Sequence, residues 1–364
     1  MRVISLSEIK GKEVLGADIY DEQGRILLNR GIAIKLSYID RLVEHGIEEL
    51  YIEDEISEGI IPENVVMMQA RQEAKNIIKQ EAKRLVTKND ISVAHINKVI
   101  DLIVNDILSN IKNNLVTVKD LRVKDDNLFA HSINVAIMST LLCQKAGFSY
   151  QKINNTVTGC LLHDIGKLFL PEEINNKDVQ KLTAKELEQY KLHARIGYEM
   201  FLDNVDINPT TRVTILMHHE HLDGSGFPDG ISGRKIHESA RICSICNCFD
   251  EMVNGKKRGK LLNVSDAVEY LTAYAGSYFD EELVNDLIKS VPIYPVGSIV
   301  LLSDGCLAIV AKNESVSVTR PVVRVFFDYT NKRKIPYQEI DLMKNLSLNI
   351  KTEIKGNIRK LLES

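Results

Sequence analysis

The stretch that decides the fold reads Gly159-Cys160-Leu161-Leu162-His163-Asp164-Ile165-Gly166-Lys167. Its apolar residues predict a buried helix that ends at the His-Asp pair, and Gly166 predicts a turn before Lys167. Adjacent His and Asp offer a neutral imidazole nitrogen and an anionic oxygen to one cation, and the second carboxylate oxygen can reach another cation. The pair therefore predicts a site for a divalent metal that activates water.

The distribution of histidines supports this interpretation. Seven of the nine histidines lie between residues 131 and 237, namely His131, His163, His193, His218, His219, His221 and His237. The first five lie in or beside segments with the apolar spacing of helices. Helical bundles build metal sites in their cores from imidazoles and carboxylates that several helices supply. We expect His221 and His237 to lie outside the set of metal ligands.

Length and composition narrow the possible classes of protein. The chain has 364 residues, enough for two or three domains, and 44% hydrophobic residues, enough for a sizeable core. Its net charge of −4 gives no basic footprint for duplex nucleic acid, although a small anionic ligand stays possible. No stretch approaches the roughly 18 apolar residues of a membrane span, and the N-terminus has no apolar run of signal-peptide length. We therefore expect a cytoplasmic protein whose partners include neither duplex nucleic acid nor a membrane.

The apolar pattern divides the chain into four predicted parts. They are a small α/β unit over residues 1–60, a helical linker or hairpin over 61–118, the histidine-bearing helices over 119–290, and a small β module over 291–364. The helices of the third part are predicted over about 128–146, 150–162, from Thr183 onward, 210–219 and 238–253. Thr183 and Glu186 form the capping-box pattern that begins a helix.

The flanking parts carry weaker signals. In the first part, Val14 to Tyr20 is predicted as a strand and Arg25 to Leu28 as its return strand. The last part contains three runs rich in β-branched residues and is predicted to end in a charged helix from about Glu353 to Leu362. The polar-rich helices over 62–115 could support the next domain or pair two copies of the chain in a homodimer.

Six motifs follow one another over about residues 120–290. They are His131-Ser132, His163-Asp164-Ile165-Gly166-Lys167, His193-x3-Gly197, His218-His219-Glu220, Asp223-Gly224-Ser225-Gly226-Phe227-Pro228 and Arg241-Ile242 through Phe249-Asp250. In their order and spacing, these motifs resemble the HD-GYP family, whose members are HD-superfamily phosphodiesterases for cyclic di-GMP. The resemblance implies a mainly α protein: an HD-superfamily helical bundle flanked by the small N-terminal α/β unit and the small C-terminal β module. It also implies hydrolysis of cyclic di-GMP to the linear dinucleotide and, in some members, to GMP.

The resemblance implies a metal centre of two or three ions, usually iron or manganese. The implied ligands are His131, His163, Asp164, His193, His218 and His219, with Asp164 bridging two ions. The last ligand position of the family, usually Asp, is Asn247 here, and Asn brings no negative charge. Members with three metals have an extra acid shortly before the first His, where this chain has Asn127. We therefore expect two divalent ions, iron or manganese.

Phosphodiester hydrolysis needs a nucleophile at neutral pH and a sink for charge on the phosphate oxygens, and two cations about 3.5–4 Å apart supply both. Asp164 is the predicted bridging catalytic residue. Lys167 follows it closely enough to neutralise a phosphate oxygen. The alternative for Lys167 is an ordinary solvated loop lysine.

The predicted substrate-binding residues follow the histidine pairs along the chain. They are Asp223, Gly226, Phe227, Pro228, Asp250, Lys256, Arg258 and Lys260. Gly226-Phe227-Pro228 matches the Gly-Tyr-Pro of the family, and Phe keeps the stacking surface of Tyr while losing its hydroxyl donor. The three basic residues stand where the family has the tetrad Arg-Pro-Tyr-Arg/Lys, and they could gather phosphates or lie in a solvated loop.

Three functions fit these residues. The first is an active, metal-dependent phosphodiesterase for cyclic di-GMP. The second is a catalytically weakened domain that binds nucleotide as a signalling module, which the departures at Asn247, Phe227 and the basic tetrad favour. The third is an HD hydrolase of another phosphorylated nucleotide. A purely structural role is disfavoured, because burying so many imidazoles without partners would be costly.

Overall fold

The computed structural model describes residues 1–20, 25–45, 47, 49–61, 67–110, 127–254, 262–314 and 317–354. The chain forms two compact units. The first contains the described residues of Met1–Met68 and Lys289–Ser364, and the second contains those of Gln69–Lys112 and Asp126–Ile288. The predicted first and last parts of the chain thus lie in one unit, and the division into four parts stays a prediction.

The N-terminal part of the first unit is built from short strands. They are β1 (Arg2–Ser5), β2 (Val14–Leu15), β3 (Ile19–Tyr20), β4 (Ile26–Leu28) and β5 (Glu49–Glu53), and α1 (Ile39–Glu44) precedes β5. The strands β1, β5 and β2 form one antiparallel sheet in that order, while β3 and β4 form a hairpin. The predicted strand from Val14 to Tyr20 is therefore two strands, because β2 pairs with β5 and β3 pairs with β4.

The C-terminal part of the first unit is an antiparallel sheet with the order β10-β6-β7-β8-β9. Its strands are β6 (Ile299–Leu302), β7 (Cys306–Glu314), β8 (Ser317–Asp328), β9 (Arg333–Asp341) and β10 (Ile350–Glu353). Alternate residues of β6 enter different apolar clusters, with Ile299 in one and Val300 in the other. The predicted small β module is confirmed.

The predicted helix from Glu353 is wrong at its first residue. Glu353 ends β10, where it pairs with Val300 of β6. The strand Ile350–Glu353 contains β-branched Ile and Thr, which favour a pleated, half-buried strand. Residues 355–362 of the predicted helix lie outside the part of the chain that the structure describes.

The second unit contains helices and no strand among its described residues. Its helices are α2 (Met67–Lys88), α3 (Val93–Asn110), α4 (Asn127–Lys145), α5 (Tyr150–Leu162), α6 (Glu172–Asn175), α7 (Ala184–Glu199), α8 (Pro209–Met217), α9 (Glu238–Val253), α10 (Val264–Ala273) and α11 (Glu281–Ile288). Of the five helices predicted to carry the site, α5 and α9 have the predicted bounds. The mainly α fold with small flanking sheets is confirmed.

Local capping explains where two of these helices begin. The hydroxyl of Ser149 accepts a hydrogen bond from the backbone N–H of Lys152 at the start of α5. Thr183 and Glu186 form the predicted capping box at the start of α7. Both caps fix the register of a helix that ends in, or carries, a histidine of the cluster.

Glycines let α5, the turn after it, α7 and α8 approach closely. A Cβ on Gly159 would lie 2.6 Å from Cβ of Thr214 on α8, and a Cβ on Gly166 would overlap the carbonyl oxygen of His193. A Cβ on Gly197 would lie 2.9 Å from a methyl carbon of Ile215. These small residues therefore bring the histidine-bearing elements together in one core.

None of the helices in the described ranges combines the length and apolarity that a bilayer crossing would demand.

Candidate metal centre

Five imidazoles and one carboxylate converge in the second unit. His131 lies in the first turns of α4, His163 and Asp164 directly follow α5, His193 lies within α7, and His218 and His219 directly follow α8. His163, Asp164, His193 and His218 are fully buried, whereas the side chain of His131 is 12% exposed. The structure thus brings together residues from four helices, as the spacing of the histidines predicts.

These side chains form two groups of potential metal-binding atoms. One group contains Asp164, His193, His218 and His219, and the other contains His131, His163 and Asp164. Within each group the potential donor atoms lie within 4.8 Å of one another. Asp164 belongs to both groups, so a single carboxylate joins them.

Backbone hydrogen bonds fix the orientation of three imidazoles. Nδ1 of each ring donates to a carbonyl oxygen one turn earlier: His163 to Cys160 at 2.7 Å, His193 to Tyr190 at 2.6 Å, and His218 to Ile215 at 2.7 Å. A neutral ring that carries its proton on Nδ1 has a free lone pair on Nε2, and the Nε2 atoms of these rings lie 3.4–3.7 Å from the carboxylate oxygens of Asp164. The Nε2 atoms of His193 and His218 lie only 3.4 Å apart.

His131 takes its orientation from a carboxylate. Its Nδ1 lies 2.7 Å from Oδ2 of Asp250, and its Nε2 lies 3.2 Å from Nε2 of His163. Oδ1 of Asn247 lies 2.8 Å from the same Nε2. Burial acts to lower the pKa of His131, but the hydrogen bond and charge of Asp250 outweigh it and raise the pKa above its usual value.

Asp164 is held as an anion inside the core. Burial acts to raise its pKa, but the neighbouring charge of Lys167 outweighs this effect and keeps the pKa well below its usual range. Oδ2 is paired with Lys167. Oδ1 lies 3.4 Å from Nε2 of His193 and accepts no hydrogen bond from any residue that the structure describes. A buried anionic oxygen with no donor fits a bound cation.

Burial also keeps the imidazoles of His163, His193 and His219 neutral. It lowers the pKa of His193 to about 3, and it lowers the pKa values of His163 and His219 well below their usual value. Nε2 of His219 has no hydrogen-bond partner among the described residues. Neutral imidazole is the form that binds metal ions.

Lys167 is buried and pairs with Asp164, with its Nζ 5.2 Å from the centre of the Tyr190 ring. Burial acts to lower the pKa of Lys167, but the charge of Asp164 outweighs it and raises the pKa above its usual value. The alternative of a solvated loop lysine is therefore wrong, and Lys167 supplies a fixed positive charge beside the shared carboxylate.

The glycine-rich loop packs against one edge of the cluster. The ring of Phe227 stacks on His219, and the N–H of Phe227 donates to the carbonyl oxygen of His219 at 3.1 Å. A Cβ on Gly226 would overlap backbone atoms of His219 and His221, so this close approach requires glycine. Pro228 follows Phe227 in the loop, and Asp223 is exposed, where its carboxylate accepts from the N–H of Ser225 at 2.9 Å.

Asp250 lies behind His131 rather than at the loop. Its Oδ1 accepts from Nδ2 of Asn134 at 2.9 Å and from Nδ2 of Asn254 at 2.8 Å, while Oδ2 bonds His131. This arrangement resembles the carboxylate that commonly orients a metal-binding imidazole. The other predicted substrate-binding residues, Lys256, Arg258 and Lys260, lie outside the described residues.

The sequence reasoning missed Asn134, Asn254 and Glu220. Asn134 and Asn254 lie one turn after His131 and Asp250, a spacing that places each pair on one helix face. Glu220 is buried and accepts from the N–H groups of Asp229 and Ile231 at 2.8 and 3.0 Å, which orders the loop. Neither metal group contains His221 or His237: His221 stacks on Tyr278, and His237 caps α9.

Two family models match the chain. One, described as "HD domain", matches residues 104–283, and the other, described as "KOW domain associated with HD domain", matches residues 299–361. A solved structure with the same fold, described as Bd1817, a HDG"Y"P protein from Bdellovibrio bacteriovorus, has a TM-score of 0.51 and 19% identity. The match covers 78% of this chain and 97% of that one.

Curated relatives are similar to part of this chain. "Cyclic di-GMP phosphodiesterase PA4108" of Pseudomonas aeruginosa is 31% identical over 69% of this chain and 60% of its own length. "Cyclic di-GMP phosphodiesterase response regulator RpfG" of Xanthomonas campestris is 29% identical over 46% of this chain and 45% of its own length. The chain therefore spans about half to three fifths of the length of these relatives.

Proposed function

This chain belongs to the HD domain family through its residues 104–283, and on that premise we propose that it is a metal-dependent phosphodiesterase that hydrolyses cyclic di-GMP to the linear dinucleotide. The observation that carries the proposal is the convergence of five imidazoles on Asp164, a carboxylate shared by two groups of potential metal ligands. The two relatives named above carry the same activity in their names.

The residues present fit two divalent ions, for which iron or manganese is our expectation. Asp164, His193, His218 and His219 would hold one ion, and His131, His163 and Asp164 would hold the other, with Asn247 beside it. Imidazole nitrogens and carboxylate oxygens suit such metals. When bound, a pair of divalent cations lowers the pKa of water and neutralises charge that develops on a phosphate.

The chain itself supplies orientation and charge. Lys167 keeps Asp164 ionised, and its ammonium adds a positive charge near the phosphate position. The carbonyl groups behind His163, His193 and His218 hold each ring so that Nε2 lies near Asp164. Because these groups are fixed before substrate binds, little reorganisation is needed during the reaction.

Substrate contacts would come from the loop beside His219 and from the residues that follow α9. The loop contributes Asp223, Gly226, Phe227 and Pro228, with the ring of Phe227 available for stacking on one face of a base. Lys256, Arg258 and Lys260 would gather the two phosphates of a cyclic dinucleotide. A homodimer through residues 62–115 and a cytoplasmic location stay predictions.

A second candidate function is a nucleotide-binding module without turnover. The observation that favours it is Asn247, whose neutral amide oxygen lies 2.8 Å from Nε2 of His131, where a carboxylate would bring charge to a metal ion. A weaker metal site could still bind substrate without breaking it.

The deciding experiment uses the purified chain prepared without chelator. We expect about two metal ions per chain. We also expect conversion of cyclic di-GMP to the linear dinucleotide, which chromatography of the reaction mixture measures. Asp164→Ala should abolish both, whereas the control Asp203→Asn, at an exposed carboxylate of the same unit, should change neither. Tight nucleotide binding with no product would support the binding module. Turnover of a different phosphorylated nucleotide alone would support another HD hydrolase.

A further inference from the structure

Helix α2 contributes a cation to the region behind His131. Nη1 of Arg71, in the first turns of α2, donates to Oδ1 of Asn134 at 3.4 Å. Arg71 precedes the residues that the HD domain model matches, and no motif in the sequence marks it. We infer that Arg71 is a positioning residue for the metal centre, acting through Asn134 and Asp250 on His131. This inference rests on the proposed metal-dependent function.

The contacts form one continuous chain of hydrogen bonds. Nδ2 of Asn134 donates to Oδ1 of Asp250 at 2.9 Å, and Oδ2 of Asp250 bonds Nδ1 of His131 at 2.7 Å. An amide has one acceptor side and one donor side. When Asn134 turns its oxygen toward Arg71, its N–H group necessarily faces Asp250. The guanidinium therefore sets the direction of the amide.

Burial makes this chain of contacts matter. Asp250 is 1% exposed and Asn134 is 8% exposed, so water does not readily replace a hydrogen bond that is lost between them. Arg71 brings a positive charge to the chain: burial lowers its pKa to about 10, against the opposing charge of Asp250, so it stays charged at neutral pH.

The expected consequence of losing Arg71 follows from the same contacts. Without Arg71, Oδ1 of Asn134 loses this donor and the amide can turn, which breaks the hydrogen bond that Nδ2 donates to Asp250. Asp250 then holds the ring of His131 less firmly. This change weakens metal binding without removing any ligand, at a level of about 10- to 100-fold for groups that orient a ligand.

The test measures Mn²⁺ binding by isothermal calorimetry on the full chain stripped of metal. Arg71→Met should weaken the binding of at least one ion about tenfold or more, and Arg71→Lys should recover part of the loss. The matched control is Arg84→Met on the same helix, which removes an exposed ion pair with Asp90. Arg84→Met should bind Mn²⁺ as the unchanged chain does.

A second comparison separates an effect carried through Asp250 from a general loss of structure. An Asp250→Asn background already breaks the chain of contacts at its last link, so adding Arg71→Met should weaken Mn²⁺ binding no further. Should Arg71→Met fail to fold, Asn134→Ser interrupts the same chain at its middle and should weaken Mn²⁺ binding similarly.

The outcomes are distinct. A folded Arg71→Met that binds Mn²⁺ as tightly as the unchanged chain would overturn the inference, as would equal losses for Arg71→Met in both backgrounds. Failure of the unchanged chain to bind Mn²⁺ would overturn both this inference and the proposed function. Normal Mn²⁺ binding without hydrolysis of cyclic di-GMP would overturn the phosphodiesterase alone, and the calorimetric comparison would still decide the role of Arg71.

Discussion

The phenyl ring of Phe227 stacks on the imidazole of His219, with 4.4 Å between the ring centroids and 22° between the ring planes. Among the described residues, no backbone carbonyl anchors the ring of His219 as that of Ile215 anchors the ring of His218. The ring of His219 instead packs against Phe227 and against the rings of His193 and His218. Stacked aromatic pairs are worth about 0.5–1.5 kcal/mol beyond their buried area.

Phe227→Ala should therefore weaken the binding of the ion at His219 by roughly three- to tenfold, as measured by Mn²⁺ calorimetry. Phe227→Tyr is the matched control, because it keeps the ring. We expect it to retain Mn²⁺ affinity and to alter only the KM for cyclic di-GMP through its added hydroxyl. Equal Mn²⁺ affinity in the Ala and Tyr variants would show that the stacking does not support the ligand.

Gly166 is a second point where a single atom matters. A Cβ there would overlap the carbonyl oxygen of His193, which belongs to helix backbone and cannot move aside alone. Gly166→Ala should lower the free energy of unfolding by about 3 kcal/mol or prevent folding. Gly147→Ala is the control: it also lies in the second unit, and its Cβ would meet nothing within 4 Å.

For Gly147→Ala we expect a loss of only about 1–2 kcal/mol, the cost of placing Ala at its positive φ of 73°. Urea denaturation followed by circular dichroism measures both variants. If Gly166→Ala lost no more stability than Gly147→Ala, the close approach of the turn to α7 would be refuted.

Local signals account for what the sequence could predict. The capping residues Thr183 and Glu186 lie three positions apart, so both residues that determine the start of α7 lie within one helical turn. The Gly-rich turn after Asp164 and the positions of the histidines near helix ends are local in the same way. Such patterns depend on spacing alone, and the convergence of the five imidazoles followed from them.

The supporting contacts could not be predicted in this way. Asn134 and Asp250 are 116 residues apart, and no local sequence pattern in either segment predicts their contact. Arg71 lies on a polar-rich helix whose sequence predicts only support of the next domain or a contact between two copies of the chain. The pairing of β2 was missed for the same reason, since its partner β5 is distant in sequence, whereas β4 does pair with β3 as the predicted return strand.

Acid should loosen the start of α7. Hydrogen bonds from Lys177 and Thr183 lower the pKa of Glu186 from 4.5 to about 2. Because the folded chain holds this proton less tightly than the unfolded chain, the carboxylate stabilises the fold above pH 4.5, and that contribution is lost as the pH falls toward 2. Glu186→Gln should lower the Tm at pH 6. It should also reduce the change in Tm between pH 4.5 and pH 2.

The control for Glu186→Gln is Glu188→Gln, on the same helix at an exposed carboxylate. Its Tm should follow the pH as the unchanged chain does. A Glu186→Gln variant with an unaltered dependence of Tm on pH would remove the capping box as a source of acid sensitivity.

Asn247 offers the sharpest test of how the site departs from its family. Its amide oxygen already lies 2.8 Å from Nε2 of His131, so Asn247→Asp changes charge at nearly constant shape. An added carboxylate should strengthen the binding of the ion held by His131 and His163, about tenfold or more by analogy with a close charge pair in a buried site. Calorimetry with Mn²⁺ measures the affinity, and chromatography of cyclic di-GMP measures the rate.

The rate decides between the two candidate functions. If Asn247 limits catalysis, Asn247→Asp should raise kcat together with metal affinity. Asn247→Ser, which shortens the side chain without adding charge, serves as the control and should raise neither. Stronger Mn²⁺ binding in Asn247→Asp with no rise in hydrolysis would mean that the missing charge at Asn247 does not limit turnover. The substrate contacts at Phe227 and after α9 would then be what limits it.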